Sequence, residues 1–443
     1  MKMGRMPARK HLGTDALLSL CRKQFEKIRD HRAGDVLVSL PDALMAGLAL
    51  FLLKDPSLLA FQKRAADGNF PRVFGIGRLA SDTQMREILD GVEPEGLRPV
   101  FRALFRELQR GKVLESMRYL DEGLLVSLDG VEYFSSYKVH CPKCLQRKHR
   151  GKEEPEYFHQ MLGAVVVHPD KKQVIPLMPE PIQRVDGANK NDCERNAAIR
   201  FLRQFRRDHP HLDVVVIEDG LSSNGPHIRE LLDAGCHFIL GAKDGDHACL
   251  QEQLDQACQT GASRTCTRVD ERTGRVGIYV WANGLRLNDS HPDLLVNYLR
   301  YLEKSPDGTT REFTWVTDIH LRQGNVYRIM RAARARWKIE NETFNTLKNQ
   351  GYHFEHNFGH GTNNLGVVFA LLMMLAFSID QIQELTSRVF QAALRAEGSK
   401  RGLWEKQRSL WTSYRVDSMQ QLYTAIAHGF EKPPLRPKTC DTS

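Results

Sequence analysis

The spacing of apolar residues changes its period several times along the chain, and each change predicts a different kind of element. Up to about residue 115 apolar residues recur at helical spacing, and Ser39 and Asp42 form a capping box ahead of a long apolar run. The segments predicted after it are strands at Leu124 to Phe134, Tyr157 to Val167 and Gln173 to Met178, a helix at about Asn191 to Arg207, a strand at Asp213 to Ile217, a helix at Gly225 to Leu232 and a strand at His237 to Leu240.

Three strands, helix, strand, helix, strand is the order of an RNase H-like fold, an α/β fold built on a mixed sheet. This order would place Asp129 and Asp219 on adjacent central strands. Each ends an apolar run and precedes a glycine, in LLVSLDG and VVVIEDG. Ligands gather where the buried strands of an open α/β sheet end, so the two carboxylates are expected to meet there. Asp219 could instead serve as a turn or helix cap, and Glu218, which would point to the other side of the strand, is the weaker candidate.

A basic helix is predicted from about Tyr327 to Lys348, and a carboxylate interrupts its apolar face. The positions that share this face are Met330, Ala333, Trp337, Glu340, Phe344 and Leu347. An uncompensated buried charge is too costly to keep, so Glu340 is expected to face a cation, either a metal ion or Arg336 one turn earlier. Glu342, about 200° further round the helix, is expected to face solvent. The simpler alternative is that Glu340 only pairs with Arg336.

The residues around Glu340 carry a resemblance to a known family. RWKIE, followed by Lys348, resembles the Y-R-E-K signature of bacterial insertion-sequence transposases with a DDE catalytic core, Arg336 standing at the arginine and Glu340 at the glutamate. Ala333 stands where that signature has tyrosine, and Lys348 comes one position later than its lysine. The phrases SDTQMREILD, NKNDCERNAA and GYHFEHNFGHG also resemble a divergent branch of these elements, and the resemblance spans about Val36 to Ile382.

The resemblance implies a DNA transposase that binds the terminal inverted repeats of its insertion sequence, as a homodimer on double-stranded DNA, and cleaves and transfers strands. Asp129, Asp219 and Glu340 would be the catalytic residues and would hold two Mg²⁺ or Mn²⁺ ions, while Arg336 and Lys348 would contact DNA. Hard oxygen ligands suit these ions, and two of them can stabilise both the attacking and the leaving oxygen of a phosphodiester. Two alternatives stay open: a transposase-derived DNA-binding protein that has lost cleavage, and a metal-dependent nuclease not engaged in transposition.

Charge favours a polyanionic partner without proving one. The 443 residues carry a formal charge of +9, and the excess is clustered. Residues 1 to 32 hold nine Lys or Arg against three acids, and the predicted helix around Glu340 holds six against two. A surface kept basic for solubility explains the net charge almost as well and the clustering less well.

The chain is expected to act in the cytoplasm, associated with the nucleoid, because its first residues show no signal peptide. Two apolar stretches, Ala43 to Leu53 and Leu365 to Ile379, are shorter than the roughly 20 residues that a bilayer needs. They are predicted to be buried core helices, and no membrane partner is expected.

Between the last core strand and the Glu340 helix, Cys266 to Leu287 and Leu294 to Asp318 alternate like exposed strands, which predicts a β-rich insertion. The expected domains are a helical N-terminal domain at 1–115 for DNA binding or dimerisation, an RNase H-like catalytic core at 116–250 and 325–385, the β-rich insertion at 251–324 and a C-terminal helical region at 386–443.

A second constellation lies between the first two predicted strands. Cys141 and Cys144 form a C-x-x-C in HCPKC, and His149 and His159 follow, which makes these four a candidate structural zinc set. The alternative is a pair of reduced structural cysteines, since no second C-x-x-C completes the pattern. The histidines of Gly351 to Gly361 do not form H-E-x-x-H, and they are predicted to cap structure or to touch DNA phosphates.

Overall fold

The computed structural model describes residues 9–184, 192–242, 248–429 and 435–437. Its N-terminal helices are α1 (Thr14–Phe25), α2 (Leu40–Leu52), α3 (Leu58–Lys63), α4 (Phe70–Phe74), α5 (Asp82–Asp90) and α6 (Arg98–Arg110). Serine side chains begin several of them, and the predicted cap at Ser39 is confirmed, because its hydroxyl accepts a hydrogen bond from the backbone N–H of Asp42.

The elements that follow keep the predicted order. They are β1 (Arg118–Leu120), β2 (Gly123–Ser136), β3 (Leu145–Arg147), β4 (Glu156–Val167), β5 (Ile175–Pro176), β6 (Glu180–Ile182), α7 (Glu194–Asp208), β7 (Val214–Glu218), α8 (Gly225–Asp233) and β8 (His237–Gly241). The predicted start of α7 at Asn191 lies outside the described residues. The third predicted strand is shorter than expected, because only Ile175 and Pro176 pair with β4.

The strand pairing is that of an RNase H-like fold. β2 pairs antiparallel with β4 and parallel with β7, and β7 pairs parallel with β8. The two strands expected to carry Asp129 and Asp219 are therefore central neighbours, as the sequence predicts. The side chains of β7, and those of β2 up to Leu128, are buried on both faces, which explains the unbroken apolar runs.

The predicted β-rich insertion is present and continues the central sheet. It consists of α9 (Ala248–Gln259), β9 (Arg264–Asp270), β10 (Arg275–Asn288), β11 (His291–Lys304) and β12 (Thr310–Thr317). β12 pairs antiparallel with β8, so the order runs β3-β4-β2-β7-β8-β12-β11-β10-β9. The insertion thus stands at the edge of the sheet next to the ends of the central strands.

The prediction of a single α-helix from Tyr327 to Lys348 is wrong in one respect. The segment consists of α10 (Val326–Arg334), a π-helical stretch at Ile339–Phe344 and α11 (Asn345–Asn349). A π-helical turn takes more residues than an α-helical turn, so the faces before and after it go out of phase. α10 already ends at Arg334, and a turn at Ala335 and Arg336 precedes Trp337, which was predicted to be buried and is 53% exposed. Glu340 is half-buried and does not lie inside an apolar stripe.

The C-terminal helices pack against the N-terminal helices and complete the apolar core. They are α12 (Leu365–Thr386), α13 (Arg388–Glu397), α14 (Lys400–Ser413) and α15 (Met419–His428). Two short strands, β13 (Tyr414–Arg415) between α14 and α15 and β14 (Arg436–Pro437) after α15, pair with each other. Within the described residues α12 alone is long and apolar enough to cross a membrane, by length and composition only, and 94% of its most apolar window is buried inside the protein. It packs against α2 and α5, which is the place of a core helix.

Candidate active site and metal-ligand cluster

The sheet places Asp129 and Asp219 at the same level. The parallel pairing of β2 and β7 ends at Ser127 opposite Ile217. Asp129 follows Ser127 by two residues and Asp219 follows Ile217 by two, so both stand just past the end of the shared ladder. β2 itself runs on to Ser136, so Asp129 lies within a strand at the point where its parallel neighbour stops.

The segment that carries Glu340 packs directly onto this end of the sheet. The hydroxyl of Ser127 donates a hydrogen bond to the backbone carbonyl of Arg336, at 3.2 Å. Phe344 lies over Gly163, the residue opposite Asp129 on β4, and a Cβ atom at Gly163 would come within 2.7 Å of the phenyl ring. The absence of a side chain at this glycine therefore lets the π-helical stretch approach Asp129.

Arg336 joins two of the predicted acids. Its Nη1 atom lies 2.8 Å from Oε1 of Glu340 and 3.2 Å from Oδ2 of Asp129. Glu340 therefore faces the cation that the sequence analysis expected one turn earlier. Since one guanidinium nitrogen contacts both carboxylates, these two acids form the rim of one small anionic site.

Asp219 has the capping role named as its alternative and faces the same site. Its Oδ1 accepts a hydrogen bond from the backbone N–H of Leu221, at 3.0 Å, at the start of a 3₁₀ turn. Glu218 is buried on the other side of the strand, where His227 Nε2 lies 2.5 Å from its Oε2. Glu218 is thus paired with His227, whereas Asp219 interacts electrostatically with Asp129.

Glu194, at the start of α7, is a fourth acid that the sequence analysis did not select. Its Oε1 accepts a hydrogen bond from Nε2 of Gln160, at 2.6 Å, and a Cβ atom at Gly130 would come within 2.0 Å of Oε1. Desolvation and the nearby Asp219 raise the pKa of Glu194. The apolar periodicity of α7 does not single out Glu194, because it describes only the packing face of the helix. The absence of a side chain at Gly130 leaves the space that the Glu194 carboxylate fills.

Electrostatics at Asp129 show that the acids repel one another. Burial raises its pKa to about 7; Arg336 opposes this shift, whereas Glu340, Glu194 and Asp219 add to it. The 3.2 Å contact with Arg336 would by itself favour the carboxylate, but desolvation and three like charges outweigh it. Such a group of acids gains most from binding a further cation.

We expect Asp129→Asn to raise thermal stability in the absence of added Mg²⁺ or Mn²⁺. With a folded-state pKa of about 7 against an ordinary 3.8, the native protein holds a proton on Asp129 that the unfolded chain releases. The free energy of unfolding therefore falls as pH rises from about 4 to 7. Asparagine has no such proton, so its melting temperature should exceed that of the wild type by more at pH 8 than at pH 5. An equal difference at both pH values would contradict this assignment.

Two openings flank the acids. A cleft of about 460 Å³ contains Asp219 and Arg336 and is walled by Trp315 and the exposed Trp337. A larger groove of about 880 Å³ lies between the insertion strands and α10. Its charged lining residues are six basic ones, Arg268, Arg272, Arg275, Arg331, Arg334 and Lys338, and four acidic ones, Asp170, Asp270, Glu271 and Glu303. Arg331 pairs with Asp170 and Arg334 with Glu303, so part of the basic charge is neutralised.

The two remaining predicted positions on this segment, Lys348 and Glu342, interact with charged side chains other than Asp129. Lys348, on α11, pairs with Glu355, its Nζ lying 2.7 Å from Oε1. Glu342, expected to face solvent, is half-buried and interacts with Lys338. Neither side chain contacts Asp129 through any described hydrogen bond or ion pair.

The candidate zinc set is assembled with one different member. Cys141, Cys144 and His159 come together as predicted, but His149 lies apart, its Nε2 2.6 Å from Oε2 of Glu156. His360 takes the fourth place, its Nε2 3.4 Å from the sulfur of Cys144. His149 is close to the cysteines in sequence, whereas His360 lies far from them in sequence and is brought to them by the fold, from the loop ahead of α12.

The cluster also favours a thiolate. Hydrogen bonding to Cys144, above all, and to the two histidines holds the pKa of the Cys141 thiol far below its usual value, while the pKa of Cys144 is raised. One sulfur of the pair therefore carries the negative charge that a soft metal ion requires.

Comparison with known proteins places these features in a family. The family model described as a transposase DDE domain matches residues 136–378, which include Asp219 and Glu340 and begin just after Asp129. A cryo-EM structure of the piggyBac transposase synaptic complex with hairpin DNA aligns with 96% of this chain and 80% of that chain, at 11% identity and a TM-score of 0.39. No curated protein matches the chain.

Proposed function

Because the chain belongs to the transposase DDE domain family, we propose that it is the transposase of an insertion sequence, which cleaves DNA at the ends of its element and joins those ends to a target. The observation that carries the proposal is the convergence of Asp129 and Asp219 at the end of one parallel ladder, with Glu340 linked to Asp129 through Arg336.

The donor set fits divalent metal. Asp129, Asp219 and Glu340 offer only hard oxygen atoms, which Mg²⁺ and Mn²⁺ prefer. Their mutual repulsion, visible in the raised pKa of Asp129, is relieved when a cation binds. When bound, such ions would polarise the scissile phosphodiester and stabilise the charge that develops on its oxygens. Glu194 interacts electrostatically with Asp219 and Asp129, and we propose it as a further ligand or as an acceptor for a proton of bound water.

The protein's own residues would hold the reacting groups in place. Arg336 is tied to the sheet through Ser127 and would keep Glu340 and Asp129 oriented toward the cleft. Trp337 projects from the same segment with half of its surface exposed, and we propose that it contacts the DNA end by stacking. These contacts orient the reacting groups, so their loss should lower the rate of cleavage more than it lowers the affinity for DNA.

The basic groove supports DNA as the partner. Arg272 and Lys338 line it from opposite sides, one from the insertion and one from the segment ahead of Glu340. A phosphate backbone that contacts Lys338 would lie near the segment that carries Glu340, and each neutralised phosphate would release condensed counterions. Arg336 and Lys348 are proposed as further DNA contacts.

The flanking helices are proposed to recognise the terminal repeats or to form a homodimer. The N-terminal helices and α12 belong to one continuous apolar core, so this role should be tested in the whole chain. The division at 1–115, 116–250 with 325–385, 251–324 and 386–443 is kept as a proposal about function along the chain.

The proposal is tested with the full-length protein and linear DNA that carries the repeats flanking its own gene. With Mg²⁺ or Mn²⁺ we expect nicks at the repeat boundary and, with target DNA present, joined products. Ca²⁺, which has the wrong size and coordination for this chemistry, is the matched control and should support binding without nicking. Specific binding to the repeats with no cleavage in any divalent metal would favour the cleavage-deficient alternative. Cleavage without preference for the repeats would favour an unrelated nuclease.

A further inference from the structure

We propose that Cys141, Cys144, His159 and His360 bind one zinc ion. The ion would fix the loop after the Glu340 segment to β4, the strand that pairs with β2 beside Asp129. Their ligand atoms all lie within 4.8 Å of one another. The proposal concerns soft and borderline ligands beyond the β2–β4 ladder positions that hold Asp129, and it does not depend on the reaction at the acids.

The distances match a tetrahedral ion. With Zn–S near 2.3 Å and Zn–N near 2.0–2.1 Å, tetrahedral angles require about 3.8 Å between two sulfurs and about 3.5 Å between sulfur and nitrogen. The sulfurs of Cys141 and Cys144 lie 3.9 Å apart, and His159 Nε2 lies 3.5 Å from each. Nε2 of His360 lies 3.4 Å from the sulfur of Cys144. Four of the six distances among the donors therefore have the size that a tetrahedral zinc ion requires, and the other two are below 4.8 Å.

The same distances argue against the alternatives. A disulfide bond holds its sulfurs at about 2.05 Å, so the 3.9 Å separation describes two separate sulfurs. Two reduced cysteines that only fill space would not need both imidazole nitrogens turned toward them. The backbone N–H of Cys141 also points to the sulfur of Cys144, at 3.4 Å, which stabilises negative charge there.

The site is closed, as expected of a structural ion. Cys141, Cys144, His159 and His360 are 7%, 1%, 3% and 9% exposed. Phe134 packs on the ring of His360, with centroids 4.4 Å apart. All four coordination positions belong to the protein, which leaves none for water or substrate, and this distinguishes a structural zinc site from a catalytic one.

The ligands come from three separate parts of the fold. The cysteines lie in the connection from β2 to β3, His159 lies on β4, and His360 lies just ahead of α12. Lys143, between the cysteines, also reaches the start of α12, its Nζ lying 2.5 Å from Oδ1 of Asn364. An ion bound here would join residues far apart in sequence, and because the unfolded chain has no such site, the free energy of binding would stabilise the folded protein.

The site also reaches the acids through β4. His159 is four residues from Gly163, which lies opposite Asp129 and beneath Phe344. An ion bound to His159 and His360 would fix β4, against which Phe344 packs, and the loop that follows the Glu340 segment. Loss of the ion should therefore lower thermal stability first and strand cleavage as a consequence.

Metal analysis of the full-length protein, purified without chelators, tests the proposal. We expect about one zinc per chain, retained through dialysis. His360→Ala and Cys141→Ser should lose it and melt at a lower temperature. His149→Ala is the matched control, a histidine of the same segment outside the cluster, and should keep the ion. Co²⁺ in place of zinc should give thiolate-to-metal absorption that Cys144→Ser removes.

Two more variants keep the result decisive. His360→Cys supplies a thiolate in the same place and should retain zinc even if His360→Ala does not fold. Asp129→Ala should keep zinc, which separates this site from the proposed catalytic metals. Freshly purified protein without stoichiometric zinc, an unchanged zinc content in His360→Ala, or loss of zinc in Asp129→Ala would each overturn the proposal.

Discussion

Alanine in place of Asp129, Asp219 or Glu340 is expected to abolish cleavage of DNA that carries the terminal repeats. Each substitution removes an oxygen donor from a site where three acids would share divalent metal, so the rate should fall by on the order of 10³-fold or more. Binding to the repeats should persist, because phosphate contacts elsewhere supply most of the affinity. Nicking assays and gel-shift titrations on the same protein preparations measure the two effects separately.

Two variants serve as references for this series. Glu342→Ala removes a carboxylate from the same π-helical stretch that makes no described contact with Asp129, and it should keep most of the activity. Glu194→Gln keeps the hydrogen-bonding shape but removes the charge near Asp219, and it should lower the rate less than the three alanine variants do. Full activity in Glu340→Ala would refute the assignment of the third acid.

The sheet could be predicted from the sequence because its signals are local. The run LLVSLDG and the run VVVIEDG each define a buried strand and the acid that follows, and the order of elements then selects the pairing of β2 with β7. The approach of Asp129 and Asp219 follows from that pairing. The extension of the sheet through β12 could not be read in the same way, since alternation predicts a strand but not its partner.

The Glu340 segment shows where periodicity fails. A constant advance of 100° per residue buries Trp337 and Glu340 on one face, whereas the helix is interrupted after Arg334 and becomes π-helical at Ile339, so that Trp337 is exposed and Glu340 is half-buried. Packing of Phe344 against Gly163 accompanies this turn. That contact joins residues far apart in the chain, so no local pattern could reveal it.

Contacts between residues that are distant in sequence also explain why Glu194 and His360 could not be predicted as site residues. Glu194 reaches the acids from the start of α7, and His360 reaches the cysteines from the loop ahead of α12. Each belongs to a segment whose own pattern concerns only its helix or loop. His149 was selected in place of His360 because proximity in sequence is visible and proximity in space is not.

The core that unites the first and last helices should depend strongly on one buried ion pair. Lys54 and Asp380 are each 1% exposed, and Nζ of Lys54 lies 2.6 Å from Oδ2 of Asp380. The hydroxyl of Tyr352 donates to the same oxygen, at 2.5 Å, and the ammonium lies 4.1 Å from the ring centroid of Trp404. Burial lowers the pKa of Lys54 while Asp380 opposes that shift, so the aspartate is what keeps the ammonium charged.

Asp380→Ala is therefore expected to lower the free energy of unfolding by about 3–5 kcal/mol, because it leaves a buried ammonium without its counter-ion. Urea denaturation followed by tryptophan fluorescence measures the change. Asp293→Ala, which removes an exposed ion pair with Arg229, is the control and should cost less than about 1 kcal/mol. The double variant Lys54→Met/Asp380→Leu should recover much of the loss, since an apolar pair needs no counter-ion. If Asp380→Ala cost no more than Asp293→Ala, the ammonium would not be charged in the folded protein, and the link between the first and last helices would rest on apolar packing alone.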